Sequence, residues 1–147
     1  MYKMIDLQMY NDKGSMLIAL QKNANCPFEI KRAFYIFGVP KDVIRGEHAN
    51  KNSQFLFVTL QGACKICVDN GVKKEEFLLD SPQKALYLDK MLWKEMYHFS
   101  ENCILLVLSD CYYDKDEYIY DYEAFKQIRG GGGVAFVIFW RWRSYEL

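Results

Sequence analysis

The sequence predicts an all-β domain, an antiparallel sandwich or barrel, with one amphipathic helix added near the C-terminus. Three observations predict this class. Short apolar or alternating runs rich in Phe, Val, Ile, Tyr and Leu recur about every ten residues. Gly, Asn, Asp and Pro separate these runs, as expected of turns. After Ser109 the apolar residues change to a helical spacing.

The predicted strands follow one another along most of the chain. The runs are SMLIAL (15–20), IKRAFYIFGV (30–39), QFLFVTL (54–60), CKICV (64–68), EEFLL (75–79), KALYL (84–88) and CILLVL (103–108). Asn70 and Gly71, in VDNGV, predict a tight hairpin because both residues accept a positive φ. Gly62 and the Asp-Ser-Pro segment at 80–82 predict two further turns.

The segment DKDEYIYDYEAFKQI (114–128) predicts the helix. Asp114 or Asp116 is suited to cap its N-terminus. Four apolar residues then fall on one helical face: Tyr118, Tyr122, Phe125 and Ile128. We therefore expect one amphipathic helix packed on the outside of the β-core.

Composition limits the partners and the cellular compartment. The chain has 147 residues, enough for one domain, with 19 basic and 19 acidic side chains. This balance argues against nucleic acid or an anionic membrane as the main partner. The five cysteines are odd in number and mostly lie in apolar runs, and the N-terminus lacks the apolar stretch of a signal peptide. We expect free thiols and a cytoplasmic protein.

The sequence divides into a β-domain at 1–128 and a Gly-rich tail at 129–147. Gly130 to Gly133 are four consecutive glycines, which break regular structure. The apolar run from Val134 to Trp140 is too short to span a bilayer. The tail could be an added strand, an oligomer contact or a segment that does not fold.

The segment RGEHANK (45–51) has the strongest signature of a site. Arg45 and Lys51 flank His48 and could bind phosphate or carboxylate groups. Their charge would favour the neutral imidazole that a general base requires. A catalytic metal is not expected, because asparagine at position 50 is a poor transition-metal ligand and only His98 remains as a second imidazole.

Several segments together carry a family resemblance, over about Met4 to Ile128. The chain resembles the cupin-fold sugar 3,4-ketoisomerases in the order and spacing of four segments. These are PFEIKRAFYIFGVP, RGEHANK, LQGACKICVDNG and the stretch from LDSPQKALYLDKMLWKEMYHF to DYEAFKQI. The resemblance implies a cupin-type β-sandwich or jelly-roll barrel and a strand-exchanged homodimer without cofactor or metal. It also implies action on dTDP-4-keto-6-deoxyglucose, toward dTDP-3-amino-3,6-dideoxyhexoses for bacterial surface glycans such as lipopolysaccharide.

The resemblance also implies roles for individual residues. The family segment reads R-G-x-H-A-H-K, and its first histidine, the proposed base, matches His48. Two departures stand out: the second histidine of that segment is Asn50, and the histidine that usually follows the tryptophan is Lys94. The expected catalytic residues are His48, Asn50 and Tyr35. The expected substrate-binding residues are Arg32, Arg45, Lys51, Gln54, Trp93 and Lys94.

The chemistry can be argued from the residue types. Moving a ketone from C4 to C3 requires removal of the C3 proton, an enediol, and return of a proton to C4, and a neutral imidazole is suited to the first step. The amide of Asn50 can donate a hydrogen bond to the enediolate but cannot relay protons. We expect a slower isomerase, in which water, Tyr35 or His48 supplies the second proton. A non-catalytic nucleotide-sugar binding module, or an epimerase or dehydratase of the same sugar, are the alternatives.

Overall fold

The computed structural model describes residues 1–130, which form two facing antiparallel β-sheets and one helix. The helix, α1, spans Tyr122–Arg129, and a 3₁₀ turn spans Lys115–Glu117. The strands are β1 (Tyr2–Asp6), β2 (Tyr10–Asp12), β3 (Ser15–Leu17), β4 (Arg32–Phe37), β5 (Arg45–Asn50), β6 (Phe55–Gln61), β7 (Cys64–Asp69), β8 (Lys74–Leu79), β9 (Lys84–Leu88), β10 (Trp93–Tyr97), β11 (Ile104–Ser109) and β12 (Tyr118–Ile119).

Each main sheet contains five strands, and all of the strand pairs are antiparallel. The first sheet has the order β1-β9-β6-β11-β4, and the second has the order β12-β5-β10-β7-β8. The strands β2 and β3 pair only with each other, as a separate hairpin. This arrangement confirms the predicted all-β sandwich of the cupin type with one C-terminal helix.

The space between the two sheets holds the main core. Alternate side chains from both sheets meet there, because successive residues of a strand point to opposite faces. The buried members are Phe55, Phe57, Cys64, Ile66, Val68, Leu79, Leu86, Leu88, Leu92, Met96, Cys103, Leu105 and Val107. Burial of this apolar surface is the main term that holds the sheets together.

The outer face of each sheet is covered by a different segment. Leu7, Cys26 and Phe28 pack on the first sheet against side chains such as Leu56 and Tyr87. The helix packs on the second sheet through Phe125, which contacts the cluster that contains Ala49, Trp93 and Ile119. The predicted amphipathic helix therefore covers the β-core from outside.

The predicted hairpin at Asn70–Gly71 is confirmed between β7 and β8, but its loop is longer than these two residues. Asp69 pairs with Lys74, so four residues connect β7 to β8. Gly71 has the expected positive φ of 91°, whereas Asn70 does not. The Asn70 side chain instead accepts hydrogen bonds from the backbone amides of Val72 and Lys73, at 2.9 and 2.8 Å. An asparagine can stabilise a turn in either way, and the sequence alone does not distinguish them.

The predicted start of the helix is wrong. Asp114 caps only the short 3₁₀ turn, and Tyr118 lies in β12, which pairs with β5. The helix begins at Tyr122, where the Asp121 carboxylate accepts a hydrogen bond from the amide of Ala124. The alternation Tyr-Ile-Tyr before Asp121 fits a strand as well as it fits a helical face, and pairing with β5 decides between them.

Three other expectations concern the thiols, the membrane and the tail. All five cysteines are free, and Cys64 points into the core while Cys67 lies on the other face of β7. Burial raises the pKa of the Cys64 and Cys103 thiols, which makes them poor nucleophiles. Within residues 1–130, no helix is long and apolar enough to cross a membrane. Most of the predicted tail, residues 131–147, lies outside the described part.

Candidate active site

Polar side chains gather on the inner face at one end of the sandwich. Arg32 shares this face with Phe34 and Ile36, which pack against the main core. Lys94 shares it with Met96, and the strand pairing places His48 opposite Lys94. Because directly opposed residues of antiparallel strands project to the same side, these charged groups converge inside the fold.

A bulge in β5 sets the position of His48. The pairing with β10 shifts at this point, so that His48 opposes Lys94 while Gly46 opposes Glu95. Gly46 adopts a positive φ of 88°, and Glu47, the extra residue of the bulge, adopts a positive φ of 56°. A Cβ atom on Gly46 would lie 2.8 Å from the carbonyl oxygen of Lys94, so only glycine fits without displacement. The backbone of the bulge therefore requires glycine at position 46, two residues before His48.

The His48 ring is held in one tautomer. Its Nδ1 atom lies 2.9 Å from the carbonyl oxygen of Gly46, and a carbonyl can only accept, so Nδ1 carries the proton. The Nε2 atom consequently carries the lone pair. The Tyr118 and Tyr120 rings lie beside the imidazole, with centroids 4.8 and 5.7 Å from it. The site thus presents an oriented neutral base beside aromatic rings.

The environment of His48 lowers its pKa from 6.5 to about 3. Burial is the largest cause, and the positive charge of Lys94 comes next; the hydrogen bond to Gly46 opposes both. Arg45 adds a smaller effect in the same direction as Lys94. The imidazole therefore stays neutral at physiological pH, as the sequence predicted, and Lys94 contributes more to this than Arg45.

The lowered pKa predicts a specific loss of stability in acid. Between pH 6.5 and pH 3 the unfolded chain protonates His48 while the folded protein does not, so the free energy of unfolding falls as pH falls through this window. From pH 7 to pH 4, the wild type should lose on the order of 3 kcal/mol more than His48→Gln does. Urea denaturation of both proteins at both pH values measures the difference. An equal loss in the two proteins would contradict the buried neutral state of His48.

A buried hydrogen-bonded network lies behind His48. The Lys94 Nζ atom donates to Oδ1 of Asn50 at 2.6 Å, and the Asn50 amide donates to Oε1 of Glu117 at 3.0 Å. The Glu117 carboxylate also accepts from the backbone amides of Asn52 and Ser53, both at 3.0 Å, and from the Ser53 hydroxyl. Asn50, Lys94 and Glu117 are each at most 3% exposed. The amide of Asn50, expected to face an enediolate, is bound to Glu117.

Lys94 is a cation held inside the protein. Burial lowers its pKa from 10.5 to about 7, although the negative charge of Glu117 acts to raise it and Arg32 acts to lower it. The Nζ atom also lies 4.6 Å from the centroid of the Phe55 ring, a favourable position for a cation. Its ammonium group can therefore lose a proton near neutral pH.

Arg32 presents a hydrogen-bond donor that the folded chain does not use. Its Nε atom is buried and has no hydrogen-bond partner among residues 1–130. The guanidinium lies 4.9 Å from the ring centroid of Phe34 and 5.7 Å from that of Tyr113, and one terminal nitrogen is 3.5 Å from the Tyr118 hydroxyl. A buried donor without a partner is costly, and an oxygen of a bound anion would satisfy it.

Three of the residues expected to form the site lie elsewhere in this chain. Tyr35 alternates with Arg32 on β4, so its side chain is on the outer face, where it is 64% exposed and stacks on Phe37 at 5.8 Å. The Gln54 side chain is bound to Asp110 and to the Tyr87 hydroxyl at 2.8 and 2.6 Å. Trp93 packs against the helix residues Tyr122 and Phe125 instead of lining a pocket rim.

The two remaining predicted cations are at the edge of the site. Arg45, at the exposed start of β5, borders a groove of about 260 Å³ that is also lined by Tyr35. The Lys51 Nζ atom lies 3.4 Å from the carbonyl oxygen of Asp116, and the Lys51 backbone N–H donates to the carbonyl oxygen of Glu117 at 3.0 Å. The structure therefore brings together His48, Asn50, Lys94 and Arg32, with Lys51 nearby.

Sequence reasoning missed the contribution of β12 and the turn before it. Tyr118, assigned to a helix, pairs with Asn50 and faces His48. Glu117 received no role, although it holds the network together. The aromatic cluster continues to Tyr113 and Tyr120, which are 57% and 54% exposed. The alternation of tyrosines at 118 and 120 was the available signal for a strand here.

In the described part of the chain, no three His, Cys, Asp or Glu side chains form a group that could hold a metal ion. The second histidine, His98, lies just beyond the end of β10 that is remote from Lys94, where it contacts the Tyr97 ring. The chemistry that these residues offer is proton transfer and anion binding.

Comparisons with known proteins place this geometry in a family. The family model described as "FdtA: WxcM-like, C-terminal" matches residues 1–130. The TDP-4-oxo-6-deoxy-alpha-D-glucose-3,4-oxoisomerase of Aneurinibacillus thermoaerophilus is 39% identical over 125 residues, 85% of this chain and 90% of its own.

Solved structures agree with this match. WlaRA, a TDP-fucose-3,4-ketoisomerase from Campylobacter jejuni, is 51% identical with a TM-score of 0.85, over 87% of this chain and 95% of its own. A second structure is that of a histidine-to-asparagine mutant of the 3,4-ketoisomerase QdtA from Thermoanaerobacterium thermosaccharolyticum, in complex with TDP-4-keto-6-deoxyglucose. It is 31% identical with a TM-score of 0.85, over 90% of this chain and 96% of its own. The rmlC epimerase of Mycobacterium tuberculosis, at 12% identity and a TM-score of 0.68 over 80% of this chain and 66% of its own, shares the fold alone.

Proposed function

The chain belongs to the FdtA family of sugar 3,4-ketoisomerases and is an isomerase, and on this premise we propose its substrate and the residues that act on it. The substrate is dTDP-4-keto-6-deoxyglucose, and the product is a dTDP-3-keto-6-deoxyhexose. His48 is the base. The observation that carries this assignment is the buried neutral imidazole with Nδ1 bound to the Gly46 carbonyl, which leaves Nε2 to accept a proton.

The reaction follows from the state of His48. The C3 proton lies next to the C4 ketone and is therefore acidic, and Nε2 removes it to form an enediolate. The positive charge of Arg32 and that of Lys94 on the same inner face stabilise the developing oxyanion. Delivery of a proton to C4 then leaves the ketone at C3.

The nucleotide would be held by the outer part of the same site. The free Nε donor of Arg32 suits a diphosphate oxygen, with Arg45 and Lys51 as further cations at the edge. The exposed rings of Tyr113 and Tyr120 offer stacking surfaces for thymine. Binding of the remote nucleotide would position the sugar against His48 and so lower the barrier to proton transfer.

Replacing Arg32 tests the diphosphate contact. Arg32→Met keeps the bulk of the side chain and its packing on Phe34 but removes every donor. We expect the Kd for dTDP to rise by about 10 to 100-fold, which corresponds to the loss of one or two charge-assisted contacts. Isothermal titration calorimetry measures this change. An unchanged Kd in a folded variant would remove Arg32 from the diphosphate site.

The configuration of the product and its use are further parts of the proposal. The 51% identical relative is named for TDP-fucose, a 6-deoxygalactose, which supports a galacto-configured product here. The product would then lead to a dTDP-3-amino-3,6-dideoxyhexose for a bacterial surface glycan such as lipopolysaccharide, in the cytoplasm. Proton coupling between C4 and C5 of the product distinguishes the galacto from the gluco configuration.

We also propose that the working unit is a strand-exchanged homodimer of a domain ending near residue 128. The hairpin of β2 and β3 supports this, because Tyr10, Met16 and Leu17 are each at least 57% exposed in the single chain. In the dimer the residues before Ser15 would cross to the partner, so that β1 would exchange its pairing with β9 of its own chain for the same pairing on the partner subunit. A monomeric mass in solution would contradict the dimer.

A test of the proposed function needs only the purified protein and the substrate. The appearance of a 3-keto sugar, followed by proton NMR, would establish ketone migration. An epimer or a dehydrated sugar would instead support the alternative reactions on the same substrate. Tight dTDP binding without any conversion would support the alternative of a binding module.

A further inference from the structure

Lys94 occupies an energetically costly position, and the proposed steps use only its positive charge and name no donor for the second proton. Its side chain is 3% exposed, and it makes no direct ion pair within residues 1–130. It donates a hydrogen bond to the neutral amide oxygen of Asn50, and Asn50 in turn binds the Glu117 carboxylate. A buried ammonium group without a carboxylate in contact destabilises a protein, so a role in function would account for its retention.

The groups around Lys94 set its ability to release a proton. Arg32 from β4 and His48 from β5 share its face of the site, with Tyr118 from β12 opposite Asn50. Glu117 from the 3₁₀ turn is the one carboxylate of the network, and it acts through Asn50. Burial and the Arg32 charge together outweigh Glu117, so that the pKa of Lys94 falls to about 7. An amine with this pKa can donate and recover a proton at working pH.

We propose that Lys94 is the acid that protonates C4 of the enediolate, the step that Asn50 cannot perform. This inference rests on the proposed ketoisomerase function. Asn50 then has the task of holding the ammonium group in place through its side-chain oxygen. Water, Tyr35 and His48 become unnecessary as the source of the second proton.

The proton balance closes without an external reagent. His48 Nε2 takes the C3 proton, and the C3–H electron pair forms the C3–C4 double bond while the C4 carbonyl becomes an oxyanion. The hydroxyl proton on O3 passes to O4. Carbon C4 then takes a proton from the Lys94 ammonium as O3 becomes the carbonyl oxygen. The proton held by His48 returns to Lys94 through solvent, and carbon C3 has been oxidised while C4 has been reduced.

Charge repulsion favours this order of events. The Lys94 charge already lowers the pKa of His48, and Coulomb interactions act equally in both directions. When His48 gains the C3 proton, a second cation forms beside Lys94. The repulsion weakens the hold of Lys94 on its proton at the moment when C4 requires one.

The test separates the two proton transfers in deuterated buffer. Proton NMR gives the rate at which recovered substrate exchanges its C3 proton, which reports on His48, and the rate of ketone migration, which also requires C4 protonation. In Lys94→Met, migration should fall by about 10² to 10⁴-fold. Exchange at C3 should fall far less than migration, because Arg32 still stabilises the oxyanion and the loss of the Lys94 charge makes His48 a stronger base. Lys94→Arg should show the same separation, since arginine keeps the charge but does not release a proton.

The outcomes distinguish this inference from the function on which it rests. A parallel fall of both rates in folded Lys94→Met and Lys94→Arg, or unchanged migration in both, would overturn the role of Lys94 and leave the isomerase intact. The absence of migration in the wild type would overturn the proposed function itself. Lys73→Met, in the exposed loop between β7 and β8, is the matched control and should leave both rates unchanged. Circular dichroism of each variant confirms folding.

Discussion

Replacing His48 with asparagine is expected to lower the rate of ketone migration by about 10² to 10⁴-fold, because the side chain that accepts the C3 proton is lost. The asparagine amide is smaller, uncharged and unable to take a proton, so the buried site should tolerate it. We expect the Kd for dTDP to stay within about threefold, since Arg32 and the exposed tyrosines are unchanged. A coupled assay of product formation and calorimetry with dTDP provide the two measurements.

The other histidine of the chain supplies the control. His98 has a positive φ of 51°, a conformation that asparagine also tolerates, and it lies beyond the far end of β10. His98→Asn should therefore retain wild-type activity. If His48→Asn kept more than a tenth of the activity, the base would have to be another residue.

Replacing Glu117 with glutamine is expected to cause the largest loss of stability. The carboxylate accepts hydrogen bonds from the Asn50 amide, from two backbone amides and from the Ser53 hydroxyl. A glutamine places an NH₂ group against at least one of these donors, and it removes the negative charge that acts on Lys94. We expect the free energy of unfolding to fall by about 3 kcal/mol, measured by urea denaturation.

An exposed carboxylate provides the matched control for this loss. Glu101→Gln, in the turn before β11, should change the free energy of unfolding by less than about 0.5 kcal/mol. A loss below about 1 kcal/mol in Glu117→Gln would mean that the network does not hold β5, its following loop and the 3₁₀ turn together.

Much of the fold could be predicted from the sequence, because strands and turns are indicated by residues that are close together in the chain. Alternating runs such as CKICV and KALYL became β7 and β9, and turn residues separated them as expected. Gly62, with a φ of 71°, forms the predicted turn between β6 and β7. The RGEHANK segment likewise predicted a neutral histidine, and burial does lower the pKa of His48 to about 3.

The remaining features depend on contacts between distant segments. Tyr118 became a strand residue only because β5 offered it a partner 68 positions away at Asn50. The sequence shows that Asn50 cannot relay protons. Its hydrogen bonds to Lys94 and Glu117 could not be predicted, because they depend on the fold to bring these two distant residues next to Asn50. Tyr35 shows the converse: its alternation with Arg32 on β4 directs it outward, which family likeness alone does not reveal.

The most direct test of the central claim follows the wild type and His48→Asn by proton NMR in deuterated buffer with dTDP-4-keto-6-deoxyglucose. If His48 is the base of a ketoisomerase, the wild type will form the 3-keto sugar with deuterium at C4, and the variant will show neither exchange at C3 nor migration. A 3-keto product formed at equal rates by both proteins, or wild-type protein that binds dTDP and never exchanges the C3 proton, would contradict the account.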